Sequence, residues 1–158
     1  MTDAELLATF VGAFGKFEPL HVRGGWKEMD NVPVEMQDGF DGSPAATPMW
    51  KPAVVSTPRS SLDNIYRRLP GKFPRLYEDL ILSYRWLEID LDDIITLYAN
   101  PSLVSLDPLL DKMIDDPVLT RTLFPRGWIP FGHPPQPSYD PICFVTDKRR
   151  PDGDCPII

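Results

Sequence analysis

At 158 residues with 42% hydrophobic content, the chain can enclose one core and is short for two. Its 23 acidic and 16 basic residues leave a formal net charge of −7, which repels phosphate backbones, excludes general nucleic-acid binding and favours a basic protein surface as partner. No apolar run approaches the ~20 residues of a membrane helix, and Asp3 and Glu5 precede any base, so neither a membrane span nor an export signal is expected and a cytoplasmic location follows.

Residues 3–14 set Leu6, Leu7, Phe10, Val11 and Phe14 at helical spacing, with Thr2 or Asp3 as cap and Gly15 as stop, so residues 1–16 are expected to form an amphipathic N-terminal helix. From 17 to 59 the pattern gives way to Gly24-Gly25, Gly39, Gly42 and several prolines. Trp26, Phe40, Trp50, Val54 and Val55 nonetheless give this stretch apolar anchors that disordered segments lack. It reads as a long, pinned, irregular excursion with one or two short strands.

Ser60 or Ser61 can cap a helix carrying Leu62, Ile65, Tyr66 and Leu69 and ending at Pro70-Gly71. Pro74 suits the first turn of a second helix, in which Leu76, Tyr77, Leu80, Ile81 and Tyr84 recur every three or four residues. After Tyr84 the period becomes two: Trp86, Glu88, Asp90 and Asp92 alternate with Leu87, Ile89 and Leu91, the pattern of a half-buried strand with an acidic outer face. Residues 94–98 fit either an extension of that strand or a turn into helix. Leu103, Leu106, Leu109, Leu110, Met113 and Ile114 form a clear helical stripe, and Asp116-Pro117 opens a further short helix stopped by Pro125.

The most legible sheet comes last, as Gly127-Trp128-Ile129-Pro130-Phe131-Gly132, Tyr139-Asp140-Pro141-Ile142-Cys143-Phe144 and Asp154-Cys155-Pro156-Ile157-Ile158. The last two runs flank a turn-rich segment and are expected to pair as an antiparallel hairpin. Setting Ile142 against Ile157 and Phe144 against Cys155 keeps one face apolar, whereas a one-residue slip mixes Asp154 into it. Cys143 and Cys155 then do not face each other, and both are read as reduced, buried side chains without a zinc signature.

The best candidate for chemistry is the acidic run Glu88, Asp90, Asp92 and Asp93. Three carboxylates on one strand face stand about 7 Å apart by strand rise, too far for two neighbours to share an ion unaided. A solvated face or a docking surface for a basic partner fits this spacing better than catalysis, so these four residues are the candidate partner-binding set. His21 and His133 fall in no nucleophile or metal motif, Asp152-Gly153-Asp154 lacks the remaining ligands of a calcium loop, and Lys148-Arg149-Arg150 reads as a solubilising turn at a sheet edge. No catalytic residue, cofactor or metal is implied. Trp86 and Trp128 open strands and are expected in the core.

From residue 60 onward, the Leu69-Pro70 corner, the Phe73-Pro74-x-x-Tyr77-x-x-Leu80 helix, the Trp86 strand, the glycine-bounded Trp128 strand and the Asp140-Pro141-Ile142-Cys143-Phe144 strand occur in an order that resembles the SUKH superfamily, the Smi/Knr-like proteins. The resemblance covers residues 60–158 and implies a single α+β domain, a mostly antiparallel sheet packed against a cluster of short helices. It also implies a non-catalytic protein-binding role: bacterial relatives look like immunity proteins that neutralise a toxin domain by occlusion, and fungal relatives resemble regulatory scaffolds with several partners. An acid/base or metal enzyme using the 88–93 carboxylates is the competing reading. Relatives continue beyond the position of Ile158 with further strand and helix. The sheet here is therefore expected to end on an unfinished edge through which the chain could associate with itself.

Overall fold

Strand and helix alternate in short pieces because nineteen prolines and ten glycines interrupt nearly every run. The computed structural model describes residues 1–135 and 140–158. It is an α+β fold with antiparallel sheets. Helix α1 (Asp3–Gly12) starts at a reciprocal capping box: Glu5 N donates to the Thr2 hydroxyl at 3.2 Å and Thr2 N donates to the Glu5 carboxylate at 2.6 Å. One-turn helices α2 (Phe14–Phe17) and α3 (Trp26–Met29) follow.

The 17–59 stretch holds more regular structure than its composition predicts. Strands β1 (Gln37–Phe40) and β2 (Pro48–Trp50) form a hairpin, and β3 (Ala53–Val54) pairs with β4 (Tyr84–Arg85). Of the expected anchors Trp50 is buried, and Met36, Val32, Met29 and Val22 join it in holding the segment against the rest of the chain, whereas Phe40 and Val54 stay exposed on short hairpin and edge strands. Trp26 contributes differently: its ring stays exposed while its indole N–H donates to Ala46 O at 2.6 Å.

Helix α4 (Leu62–Tyr66) begins after a 3-10 turn at Arg59–Ser61 without the serine side-chain cap expected from sequence, and α5 (Arg75–Ser83) starts right after Pro74, which sits at the N-cap rather than inside the first turn. The predicted single acidic strand is broken. Trp86 leaves β4 to bridge Asn100, and the chain re-enters a sheet only at β5 (Ile89–Leu91). Residues 94–98, ambiguous from sequence, return as β6 (Ile95–Leu97), antiparallel to β5.

Helices α6 (Asp107–Ile114) and α7 (Pro117–Leu123) connect to β7 (Trp128–His133) and β8 (Ile142–Val145). Asp116 caps α7 through Val118 N at 2.8 Å and Leu119 N at 3.0 Å, as Asp116-Pro117 foretold. The main sheet has the order β5-β6-β7-β8, a plain antiparallel meander. Gly132 lies where β7 bulges against β8; a Cβ there would stand 2.6 Å from Thr96 O, which explains the glycine.

Beyond β8, Phe144 bridges Ile157, and Cys143 and Ile158 exchange main-chain hydrogen bonds of 2.8 and 3.0 Å. The register differs by two residues from the one read off the apolar pattern, so each side chain keeps its predicted face. The connection is longer than the pattern assumed, because Thr146–Lys148 winds into a 3-10 turn. Cys143 and Cys155 are free and buried, as expected. Tyr139, placed at the head of the second run, lies outside the described residues. The buried cluster runs from Leu7 to Cys155 and draws on the helices, the excursion and the sheet alike.

Two charged side chains take structural roles that the sequence reading did not assign them. Arg149, assigned to a solubilising turn, donates to Phe73 O and Gly153 O at 2.5 Å each and also to Lys72 O, tying the C-terminal turn to the segment before α5. Arg85, on a strand of two residues, is wholly buried. Its guanidinium donates to Ser102 O and Ile81 O at 2.5 Å, to Tyr84 O at 2.9 Å and to the Thr57 hydroxyl at 2.5 Å, and burial lowers its pKa. It closes the C-terminal end of α5 with a cation, where the helix carbonyls favour one. Trp86 is fully buried, whereas Trp128 is only half-buried, with the Arg126 guanidinium 5.1 Å from its ring centre.

Candidate functional site

The acidic run divides into two pairs with different fates. Glu88 and Asp90 face Arg23: its guanidinium lies 2.6 Å from Glu88 Oε1 and 3.5 Å from Asp90 Oδ2, and Glu18 stands 3.6 Å from the same cation. Glu18 Oε1 also accepts from Asp90 N at 2.7 Å, and the Thr96 hydroxyl donates to Asp90 Oδ1 across the β5–β6 pair. These two carboxylates therefore anchor the 17–59 excursion onto the sheet.

Asp92 and Asp93 leave the strand. Both take left-handed backbone, φ 55° each, and Ile94 N donates to Leu91 O at 3.0 Å, closing a tight turn between β5 and β6. Aspartate tolerates this conformation better than most residues, although the favoured pair for such a turn is Asn-Gly. The predicted face of three aligned carboxylates is thus absent: Asp92 has turned off the strand, and it and Asp93 project exposed at the hairpin tip without an ion pair among the described residues.

Next to this tip opens a feature that the sequence reading missed. An apolar groove of 710 Å³ runs between the face of the main sheet and helices α1 and α5. Leu6 and Phe10 come from α1, Leu76 and Tyr77 from α5; the sheet side begins at Ile94 and ends at Ile157 and Ile158. Ile94 is 71% exposed, Ile157 60% and Ile158 61%, so the two ends of the groove carry bare isoleucines. Its floor is an aromatic stack: Phe131 lies on Phe144 at 3.9 Å with planes 9° apart, and Tyr77 meets Phe144 edge-on at 4.9 Å. Burial raises the Tyr77 hydroxyl pKa, and this hydroxyl makes no hydrogen bond among the described residues.

These residues come together only through topology. Helical spacing on α5 turns Leu76, Tyr77 and Leu80 toward the sheet, and strand alternation puts Phe144 and Ile157 on one face. The apolar 154–158 run, which sets Ile157 opposite Phe144, was the one sequence signal available for the groove. Of the histidines, His133 ends β7 with Nδ1 2.7 Å from Pro134 O, and His21 lies 3.3 Å from Asp41; neither reaches the groove. Asp152-Gly153-Asp154 is a turn closed by Asp154 N donating to Asp152 Oδ1 at 3.0 Å, with Gly153 at φ 88°.

Compared with known proteins, the chain matches no family model, no curated protein and no solved structure. No helix among the described residues is long and apolar enough to cross a membrane.

Proposed function

We propose that this chain is a non-catalytic protein-binding module of SUKH type, acting in the cytoplasm as an immunity protein that neutralises a toxin domain by covering it. The observation that carries the binding role is the apolar groove with exposed isoleucines at both ends. Monomeric proteins rarely leave contiguous apolar surface open unless something docks there. The order of motifs over residues 60–158 supports the family. Asp92 and Asp93 beside Ile94 are the part of the acidic set free to meet a partner, while Glu88 and Asp90 already hold Arg23.

The test is co-expression with the protein encoded by the neighbouring gene. A stable one-to-one complex and rescue of growth are expected with the wild-type chain, and loss of both with an Ile94→Ser, Ile157→Ser double variant that stays folded. Capture that is indifferent to this double variant removes the groove from the argument. A neighbouring product that neither binds nor harms growth removes the immunity role.

A further inference from the structure

We infer that the occupant of the groove is an amphipathic α-helix of the partner, laid across the strands with a basic end over Asp92 and Asp93. The inference rests on the protein-binding reading above and specifies its chemistry.

Direction comes first. The lining residues step through Ile94 and Ile95 at the β5–β6 hairpin, Phe131 on β7, Phe144 on β8 and Ile157 beyond it, so the long axis of the groove crosses the strands. Five adjacent strand positions at about 4.8 Å spacing span roughly 19 Å. A helix rising 1.5 Å per residue covers that distance in about 13 residues, three to four turns with one apolar stripe. An added β-strand fits poorly. It would run alongside residues 156–158 rather than across the sheet, and Pro156 O and both main-chain groups of Ile158 already bond β8.

Charge then chooses the kind of helix. Asp92 and Asp93 stand between Leu91 and Ile94, both of which line the groove, and neither carboxylate has an ion pair among the described residues; at the far end Asp154 Oδ1 already accepts from Cys155 N at 2.9 Å. A helix whose end carries lysine or arginine places opposite charge there, and a helix N-terminus adds its own positive dipole end. A second copy of this chain brings a body of net charge −7 toward the same two aspartates, which disfavours self-association as the use of this face.

The probe is a synthetic labelled peptide of about 14 residues, with leucines at i, i+3, i+4 and i+7 and two lysines at its N-terminal end, titrated at low salt by fluorescence anisotropy. Saturable binding is expected. It should weaken about tenfold or more in Ile94→Ser, Ile157→Ser, which removes apolar surface at both ends. It should weaken about threefold to tenfold in Asp92→Asn, Asp93→Gly, whose new pair suits the turn and keeps the hairpin intact. Exchanging the two lysines for glutamates should cost a similar factor in the wild type, and little more in that charge variant.

No binding by this peptide, equal binding of the lysine and glutamate versions, or equal binding of an extended peptide with alternating leucines each overturns the helix assignment. So does a sedimentation shift from dimer to monomer in the isoleucine double variant, which would give the groove to a second copy. If the peptides fail while that variant still abolishes capture of the neighbouring protein, the helix inference falls alone; capture unaffected by the variant brings down both.

Discussion

Replacing Arg85 with methionine tests whether a buried cation with no carboxylate partner holds the fold together. The side chain is fully buried and makes four hydrogen bonds, to three carbonyls and one hydroxyl. Asn100 Nδ2 also donates to Ile81 O at 3.2 Å and to Tyr84 O at 3.1 Å, so those two carbonyls keep a donor when Arg85 is lost. Ser102 O and the Thr57 hydroxyl do not. Two half-buried polar groups left without these partners cost toward the low end of about 1–3 kcal/mol each, and relief from burying a charge offsets part of that. A net loss of about 2 kcal/mol is expected, which for a chain of this size lowers Tm by roughly 4–8 °C. Urea unfolding followed by circular dichroism measures it, with an unchanged slope showing that the native fold persists. Arg85→Lys should recover only part of the loss, since an ammonium cannot fork toward four acceptors. A methionine variant that melts within about 2 °C of the wild type refutes the reasoning, because the desolvation cost would then cancel the hydrogen bonds.

The remaining predictions concern local features. Gly132→Ala forces a Cβ against the Thr96 carbonyl and should cost about 2 kcal/mol in urea unfolding, with amide protection lost first along β6–β7. Burial pushes the Cys143 thiol up to about 11 and raises Cys155 as well, so both should resist alkylation at pH 8 in the native chain and react at once in denaturant. Rapid native labelling of either thiol contradicts that burial. Ser43, whose main-chain N–H donates to Asp41 Oδ1 at 2.9 Å, holds the Asp41 carboxyl below its usual range. A depressed folded-state pKa stabilises above the unfolded value and is lost as pH falls through the folded one, so wild type and Asp41→Asn should differ at pH 7 and converge under strong acid. Equal unfolding midpoints at pH 7 would remove any role for that carboxylate.

Elements with their own caps or periods were legible in the sequence. Helical spacing behind Thr2 or Asp3 announced α1, Asp116-Pro117 announced α7, and apolar runs bounded by turn residues marked β7 and β8. What escaped was set by partners far along the chain. Strands β1 to β3 are four, three and two residues long, too short for a period, and they exist because Trp50 and Met36 are buried and β3 finds β4. Asp92-Asp93 hid a turn because Asp92 continues the acidic alternation and neither position is the glycine that would have announced the turn. Arg85 was invisible as a core residue because its acceptors are main-chain carbonyls, which carry no sequence signature. The groove escaped for a related reason: each wall residue fits an ordinary amphipathic pattern, and only the folded chain shows where the two apolar faces fail to close.

Arg149 is the feature with the widest reach. Its guanidinium joins residues 76 and 77 positions apart in sequence, so a long-range clasp is added to the local bonds of the C-terminal turn and to the pairing of 156–158 with β8. Such contacts close large loops, and closing them carries an entropic cost that nearby residues never face. The 154–158 segment should therefore be among the last parts of the chain to settle during folding and the first to swing away. The far wall of the groove, Ile157 included, is thus tied to a side chain that lies outside the groove.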